Sequence, residues 1–242
     1  MLVAGCSHAA GSEIDGTEDS DYNRQQSFGN LVAKELEYEA INIASGAATN
    51  PTIARNILEW IDENYLPDEM HLRVIVAWTE SSRIELPHST RIFRYYQPNI
   101  AWESKTDLFY QRVNLGYPGS TEEEKRTIPG YQKFVANNLV YFELLTINLI
   151  LQIQFYLKMK QLDYIMCSTM PMFSDNTHIN HYINKVDESR YLNFNNDAEA
   201  FFWKYRNAGY TNPKAKYWHH NEVPHQLFAE QILQKWKLIN GF

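Results

Sequence analysis

Three groups of residues in this chain have the types and spacing that acyl-transfer chemistry requires. Ser7 stands in the segment Met1-Leu-Val-Ala-Gly-Cys-Ser-His-Ala-Ala-Gly11, a lone hydroxyl between small residues at the end of a short apolar run. A serine at the carboxyl end of a strand, turning tightly into a helix, lies where open α/β sheets bind ligands and where helix N–H groups face a developing anion. Near the other end, Lys216 to His225 carries His219, His220 and His225 together with Glu222. Gly46 follows a second apolar run, and a residue without a side chain lets a substrate approach its backbone N–H. Acyl transfer needs a nucleophile, a base within hydrogen-bond reach and N–H donors directed at the oxyanion. Ser7, His219 and Gly46 make up such a set. The first segment taken alone reads equally as a Gly/Ala-rich turn without chemistry.

Those residues resemble the SGNH (GDSL-like) hydrolases, most closely the divergent versions common in tailed bacteriophages. Gly5-Cys-Ser7-His-Ala-Ala-Gly11 is similar to the first block of that family, with Ser7 at the nucleophile position. Asn42-Ile-Ala44-Ser-Gly46-Ala-Ala-Thr-Asn50 is similar to the second, whose glycine N–H contributes to the oxyanion hole. His219-His-Asn-Glu-Val-Pro-His225-Gln-Leu-Phe-Ala229 is similar to the last, with His219 as general base and His220 where proline is usual. The resemblance implies a flavodoxin-like α/β/α sandwich of three layers around a central parallel sheet. It also implies a serine-dependent ester hydrolase, an esterase or deacylase, whose oxyanion hole is built from Ser7, Gly46 and Thr79. Asn50, Trp78 and Arg83 are the expected substrate-binding positions.

Two departures from the family pattern bear on the chemistry. The third block usually supplies an Asn to the oxyanion hole, whereas the matching strand end here reads Ala77-Trp-Thr79-Glu-Ser-Ser-Arg83. The acid that precedes the histidine is replaced by Lys216 and Tyr217, which leaves a Ser7–His219 dyad oriented by a backbone carbonyl or by an acid from elsewhere, with Asp175 a candidate. A second register pairs Glu222 with His225 and restores three members. The histidines and Glu222 also suit zinc or manganese, but Pro224 forbids the regular helix on which a paired-histidine motif is built, so no metal and no cofactor is assigned. His8 is read as a first-turn residue that packs or caps locally. The rival class is a non-catalytic module that keeps the scaffold and holds a glycan or protein partner.

The elements that must position these residues follow from the apolar pattern. Leu2–Cys6, Ala40–Ala44, Leu72–Trp78 and Tyr164–Ser168 read as buried parallel strands, alternating with helices at Gln25–Glu37, Asn50 to about Tyr65, and Pro129 to about Gln161. This order predicts right-handed βαβ units with helices on both faces of the sheet. Asp197–Ala208 and Leu227–Leu238 complete the helices, while Ser12–Asn23 reads as an acidic surface loop and 169–196 as an irregular polar one. Residues 87–128, rich in Phe and Tyr and without a clear period, read as an insertion in a single domain: an aromatic lid, or a cap packed by its own aromatics.

Composition excludes several classes. The chain has 242 residues, 44% of them hydrophobic and 21% charged, and this mixture supports a packed core rather than disorder. A net charge of −7 without a basic stripe argues against a nucleic-acid partner. The apolar run Leu144–Leu157 is shorter than the roughly 20 residues needed to span a bilayer, so a core helix is expected and no membrane partner. Cys6 and Cys167 read as core thiols of a reducing compartment. With no signal-peptide pattern visible, a soluble, cytoplasmic protein (host cytoplasm if viral) acting on a small-molecule or glycan ester is expected, its oligomeric state left open.

Overall fold

The computed structural model describes residues 1–18, 20–87, 110–113, 122–173, 179–194 and 196–241. In chain order its elements are β1 (Leu2–Gly5), α1 (Ser7–Ala10), α2 (Asp21–Gln25), α3 (Phe28–Glu35), β2 (Ile41–Asn42), α4 (Asn50–Asn64), β3 (Arg73–Trp78), β4 (Ile84–Pro87), β5 (Tyr110–Val113), α5 (Glu122–Asn137), α6 (Leu139–Met159), β6 (Asp163–Ser168), α7 (Asn180–Ile183), β7 (Tyr191–Leu192), α8 (Phe201–Asn207) and α9 (Glu222–Asn240). Five strands form a parallel sheet in the order β2-β1-β3-β6-β7. With the separate antiparallel pair β4–β5 set aside, this is the doubly wound order whose topological switch lies between β1 and β3.

Alternation along the strands makes the three layers. Leu2, Ala4, Val74, Val76, Trp78, Tyr164 and Met166 pack against Ile53, Ile57 and Ile61 of α4 and Ile147, Ile150 and Leu157 of α6. The intervening residues Val3, Ile75, Ala77, Ile165 and Cys167 meet Phe28 and Val32 of α3, Phe201 of α8 and Phe228, Ile232 and Trp236 of α9. Each such aliphatic or aromatic side chain removed from water contributes about 1.5–3 kcal/mol before entropy is counted. The helices are therefore anchored on the sheet, and the carboxyl ends of β1, β2 and β3 open on one edge.

Several expected boundaries differ. The last helix opens at Glu222 rather than Leu227 and takes Pro224 into its first turn, where a missing N–H costs nothing, so Pro224 does not prevent a helix through His225. The helix expected over Gln25–Glu37 is two helices, α2 and α3, because Ser27 interrupts it with extended backbone and serves as the N-cap of α3. The helix expected to open at Pro129 begins at Glu122 and contains that proline, and the break falls at Asn138, whose φ of −129° ends the helical geometry. The Ser12–Asn23 segment is solvated only in its middle: Asp15, Thr17 and Glu18 are exposed, whereas Ser12, Glu13, Ile14 and Asn23 at its ends are buried. The irregular stretch after β6 holds the short fifth strand β7. Most of the aromatic insertion, including Phe93, Tyr95, Tyr96 and Trp102, lies outside the described residues, as does Asp175.

Candidate active site

Ser7 is the first residue of α1, directly after Cys6, which caps the helix with extended backbone. The turn is tight because both flanking positions are small: a side chain at Gly5 would put its Cβ 2.6 Å from Ala9 Cβ and 2.9 Å from Ala77. α1 ends after one turn in a Schellman-type closure, with the N–H of Ser12 on Ser7 O at 3.0 Å and that of Gly11 on His8 O at 3.3 Å. Gly11 has a φ of +78°, and a Cβ there would lie 2.3 Å from the Asn23 carbonyl oxygen. This closure reverses the chain and returns Glu13, itself at a φ of +61°, to the buried interior.

Glu13 brings to His219 a carboxylate that the residues next to the histidine in sequence do not supply. Its Oε2 lies 2.6 Å from His219 Nδ1. It also accepts the backbone N–H groups of Lys216 on Oε1 at 2.8 Å and of Tyr217 on Oε2 at 2.9 Å. Burial works to raise the Glu13 pKa, but the hydrogen bonds from His219, Tyr217 and Lys216 and the nearby imidazole outweigh it, and the net shift is downward. An ionised carboxylate can only accept, so Nδ1 of His219 carries the proton of that bond. In the neutral ring Nε2 is then the free lone pair, the tautomer a general base needs. Asn212 ties the two loops together, donating from Nδ2 to Glu13 O at 2.6 Å and to Ile14 O at 3.0 Å, while its N–H bonds His219 O at 3.2 Å.

The other histidines have separate surroundings. His8 packs its ring 4.8 Å from that of His219 and against Phe202 at 5.3 Å. Burial holds its pKa well below the usual value, and the nearby Arg83 guanidinium pushes in the same direction. His220 is clamped between Tyr210 O at 2.5 Å and Phe202 O at 3.1 Å. His225 is buried against Phe28 and Phe201, and its Nδ1 accepts the Phe28 N–H at 3.2 Å. Burial lowers its pKa to about 3. Glu222 bonds to the Tyr22 hydroxyl, and no hydrogen bond joins it to His225 among the described residues. Among the described residues no three His, Cys, Asp or Glu side chains come together as a metal-binding group.

The remaining sequence candidates divide by their partners. The Asn50 side chain clamps the start of α4 to the end of β3, accepting the Thr79 N–H at 2.9 Å and donating to Thr79 O at 3.0 Å. Trp78 lies wholly in the core with Nε1 3.5 Å from Met166 Sδ. These bonds commit both side chains to structure. Thr79 Oγ1, by contrast, is buried with no hydrogen-bond partner among the described residues. Arg83 pairs with Glu80 at 2.8 Å. Gly46 sits in the turn after β2, beside Ser45, whose N–H bonds Gly5 O at 3.1 Å. No hydrogen bond joins Ser7 Oγ to His219 among the described residues; in ligand-free sites such contacts often tighten only when substrate binds.

No protein-family model matches the sequence, and no curated protein matches it. Among solved structures, it is similar to an acetyl xylan esterase from the rumen bacterium Butyrivibrio proteoclasticus (13% identity, TM-score 0.46, covering 99% of this chain and 64% of that one). It is similar to a carbohydrate esterase family 2 enzyme with a carbohydrate-binding domain from Corynascus thermopiles (12%, 0.43, 100% and 66%). It is similar also to a putative lipolytic protein of the G-D-S-L family from Desulfitobacterium hafniense (12%, 0.39, 97% and 98%). The chain thus spans just under two thirds of the two carbohydrate esterases. These are distant likenesses of overall form, and the chemistry of the site rests on its own geometry.

Proposed function

We propose that the protein is a serine-dependent ester hydrolase in which Ser7 is the nucleophile, His219 the general base and Glu13 the acid that orients it. The observation that carries this reading is the buried Glu13–His219 contact at 2.6 Å, which fixes the imidazole tautomer one side chain away from the Ser7 turn. In the proposed cycle Ser7 Oγ attacks the acyl carbonyl carbon while His219 Nε2 takes its proton. The C–O bond to the alcohol then breaks, and His219 returns the proton to the leaving oxygen. Water attacks the acyl-enzyme by the same route in reverse, releasing the acid and restoring Ser7. The N–H groups of Ser7 and Gly46 and the unpartnered Thr79 hydroxyl are the proposed donors to the oxyanion.

An acylated carbohydrate is the proposed substrate class. Tyr217 and Trp218, directly before the base, are exposed at 52% and 63%, and flat apolar faces pack well on sugar rings. Trp218 is held at a φ of +67°, a conformation that costs a bulky residue about 1–3 kcal/mol and gathers at ligand-binding positions. Hydrolysis of a short-chain p-nitrophenyl ester by wild type, abolished in a folded Ser7→Ala variant, is the expected result. The competing reading, a binding module without chemistry, has in its favour the absence of a Ser7–His219 hydrogen bond among the described residues. Equal hydrolysis by Ser7→Ala removes Ser7 as the nucleophile, whereas no hydrolysis by either protein alongside binding to a glycan array decides for the binding module.

A further inference from the structure

The outer face of α6 carries a regular exposed seam. Tyr141, Leu145, Asn148, Gln152, Phe155 and Met159 are exposed, and they follow one another at spacings of four, three, four, three and four residues. That is the heptad spacing of a coiled-coil contact. The sheet-facing side of the same helix is fully used by Ile147, Ile150, Ile153 and Leu157, so the seam is additional to the core. Leu145, Phe155, Tyr141 and Met159 are 39%, 59%, 55% and 70% exposed, an unusual concentration of large apolar groups for one surface.

The seam reads the same in both directions. Reflected about Ile150, Tyr141 falls on Met159, Leu145 on Phe155 and Asn148 on Gln152, so apolar positions meet apolar ones and amide meets amide. Isologous dimers require this self-complementarity, because residue i of one copy contacts residue j of the other and j contacts i. We infer that a second copy of this chain docks on the face, with the two α6 helices antiparallel and the two-fold axis beside Ile150. The Asn148 and Gln152 amides then hydrogen-bond across the axis in two equivalent pairs, fixing the register as a polar layer does in a coiled coil. No charged side chain occupies a seam position; neighbouring Lys158 is paired with Asp187 at 2.6 Å.

The size of the face supports this occupant. Tyr131 and Phe134 of α5, also exposed, extend the patch past Tyr141, with Phe134 and Tyr141 both packed on Phe142. Half-exposed aromatic and long apolar side chains bury about 100 Å² apiece. The six of them give roughly 600 Å² per copy, or about 1,200 Å² for the pair, above the roughly 1,000 Å² a specific interface needs.

Light scattering coupled to size exclusion should give twice the chain mass of 28.4 kDa. Phe155→Glu places two charges against the apolar seam and should weaken the dimer by at least about 30-fold while leaving the circular dichroism spectrum unchanged. Orientation is tested by a bis-maleimide with a spacer of about 8 Å. Cys6 and Cys167 are buried and will not react. The double variant Leu145→Cys/Phe155→Cys should cross-link between chains. Neither single variant should, since ten helical residues separate like positions by about 15 Å along the axis. A monomeric mass in solution overturns the proposal, with or without binding to lipid vesicles. A dimer indifferent to Phe155→Glu, or single variants that cross-link as well as the double, overturns it also.

Discussion

Replacing Glu13 by Gln removes one charge and almost no volume, and the hydrogen bonds around the side chain set the consequence. The carboxylate accepts three of them, from Lys216 N–H, Tyr217 N–H and His219 Nδ1. A glutamine offers one acceptor oxygen and one NH₂ group. If its oxygen stays on Tyr217 and His219, its NH₂ meets the Lys216 N–H, donor against donor. If its NH₂ turns to His219, it donates to Nδ1, and the ring proton must move to Nε2, where it blocks base catalysis. Either way one buried donor loses its acceptor, at a cost of about 1–3 kcal/mol in stability. Wrong-tautomer substitutions of this kind lower kcat about 10⁴-fold in serine triads, equivalent to about 5.5 kcal/mol in the barrier at 1.36 kcal/mol per decade. Initial rates on p-nitrophenyl acetate, with thermal melts to confirm folding, measure both quantities. A folded Glu13→Gln variant with kcat within tenfold of wild type would refute the assignment of Glu13 as the orienting acid.

Other expectations rest on the same contacts. Thr79→Val keeps the shape of the side chain and deletes the unpartnered hydroxyl; if that hydroxyl serves the oxyanion, kcat should fall about 10–100-fold with a small change in KM, a weaker effect than removal of a full oxyanion donor. Asn212→Ala severs the ties between the Glu13 and His219 loops and should cost about 1–3 kcal/mol in urea unfolding. Gly11→Ala places a Cβ against the Asn23 carbonyl at a positive φ and should cost at least about 2 kcal/mol. His225 has a folded pKa of about 3 against about 6.5 unfolded, so the unfolded chain binds the extra proton between those values. Its contribution is complete above pH 6.5 and declines as pH falls towards 3. The urea stability of wild type should drop by about 2 kcal/mol more between pH 7 and pH 5 than that of His225→Gln.

The strand ends were legible because their signals are local. Five small or apolar residues before Ser7, and an uninterrupted apolar run before Thr79, place those residues on one sheet edge without any knowledge of the partner elements. Asn50 illustrates the limit: its place in the second block was legible, but its role as a clamp on Thr79 depends on a residue 29 positions away. Glu13 was illegible for a similar reason. It lies in an acidic, Gly-containing stretch that has the composition of a solvated loop, and its burial arises from a left-handed closure at Gly11 and a contact with His219 at a separation of 206 residues. A glutamate closely after a left-handed glycine, six residues beyond a candidate nucleophile, is the signal that was present. His225 lay in an acid-x-x-His spacing that suggested chemistry, yet packing against Phe28 and Phe201 decided its fate, and spacing does not report such packing.

The measurement that bears most directly on the central claim is intact-mass spectrometry after incubation with a fluorophosphonate. An activated serine forms one covalent adduct, with loss of fluoride as His219 takes the Ser7 proton. Wild type should gain a single adduct, Ser7→Ala none, and Glu13→Gln one only at a rate lowered by orders of magnitude. Wild-type protein that is folded and remains unlabelled, or a Ser7→Ala variant labelled as readily as wild type, contradicts the assignment of Ser7 as the nucleophile.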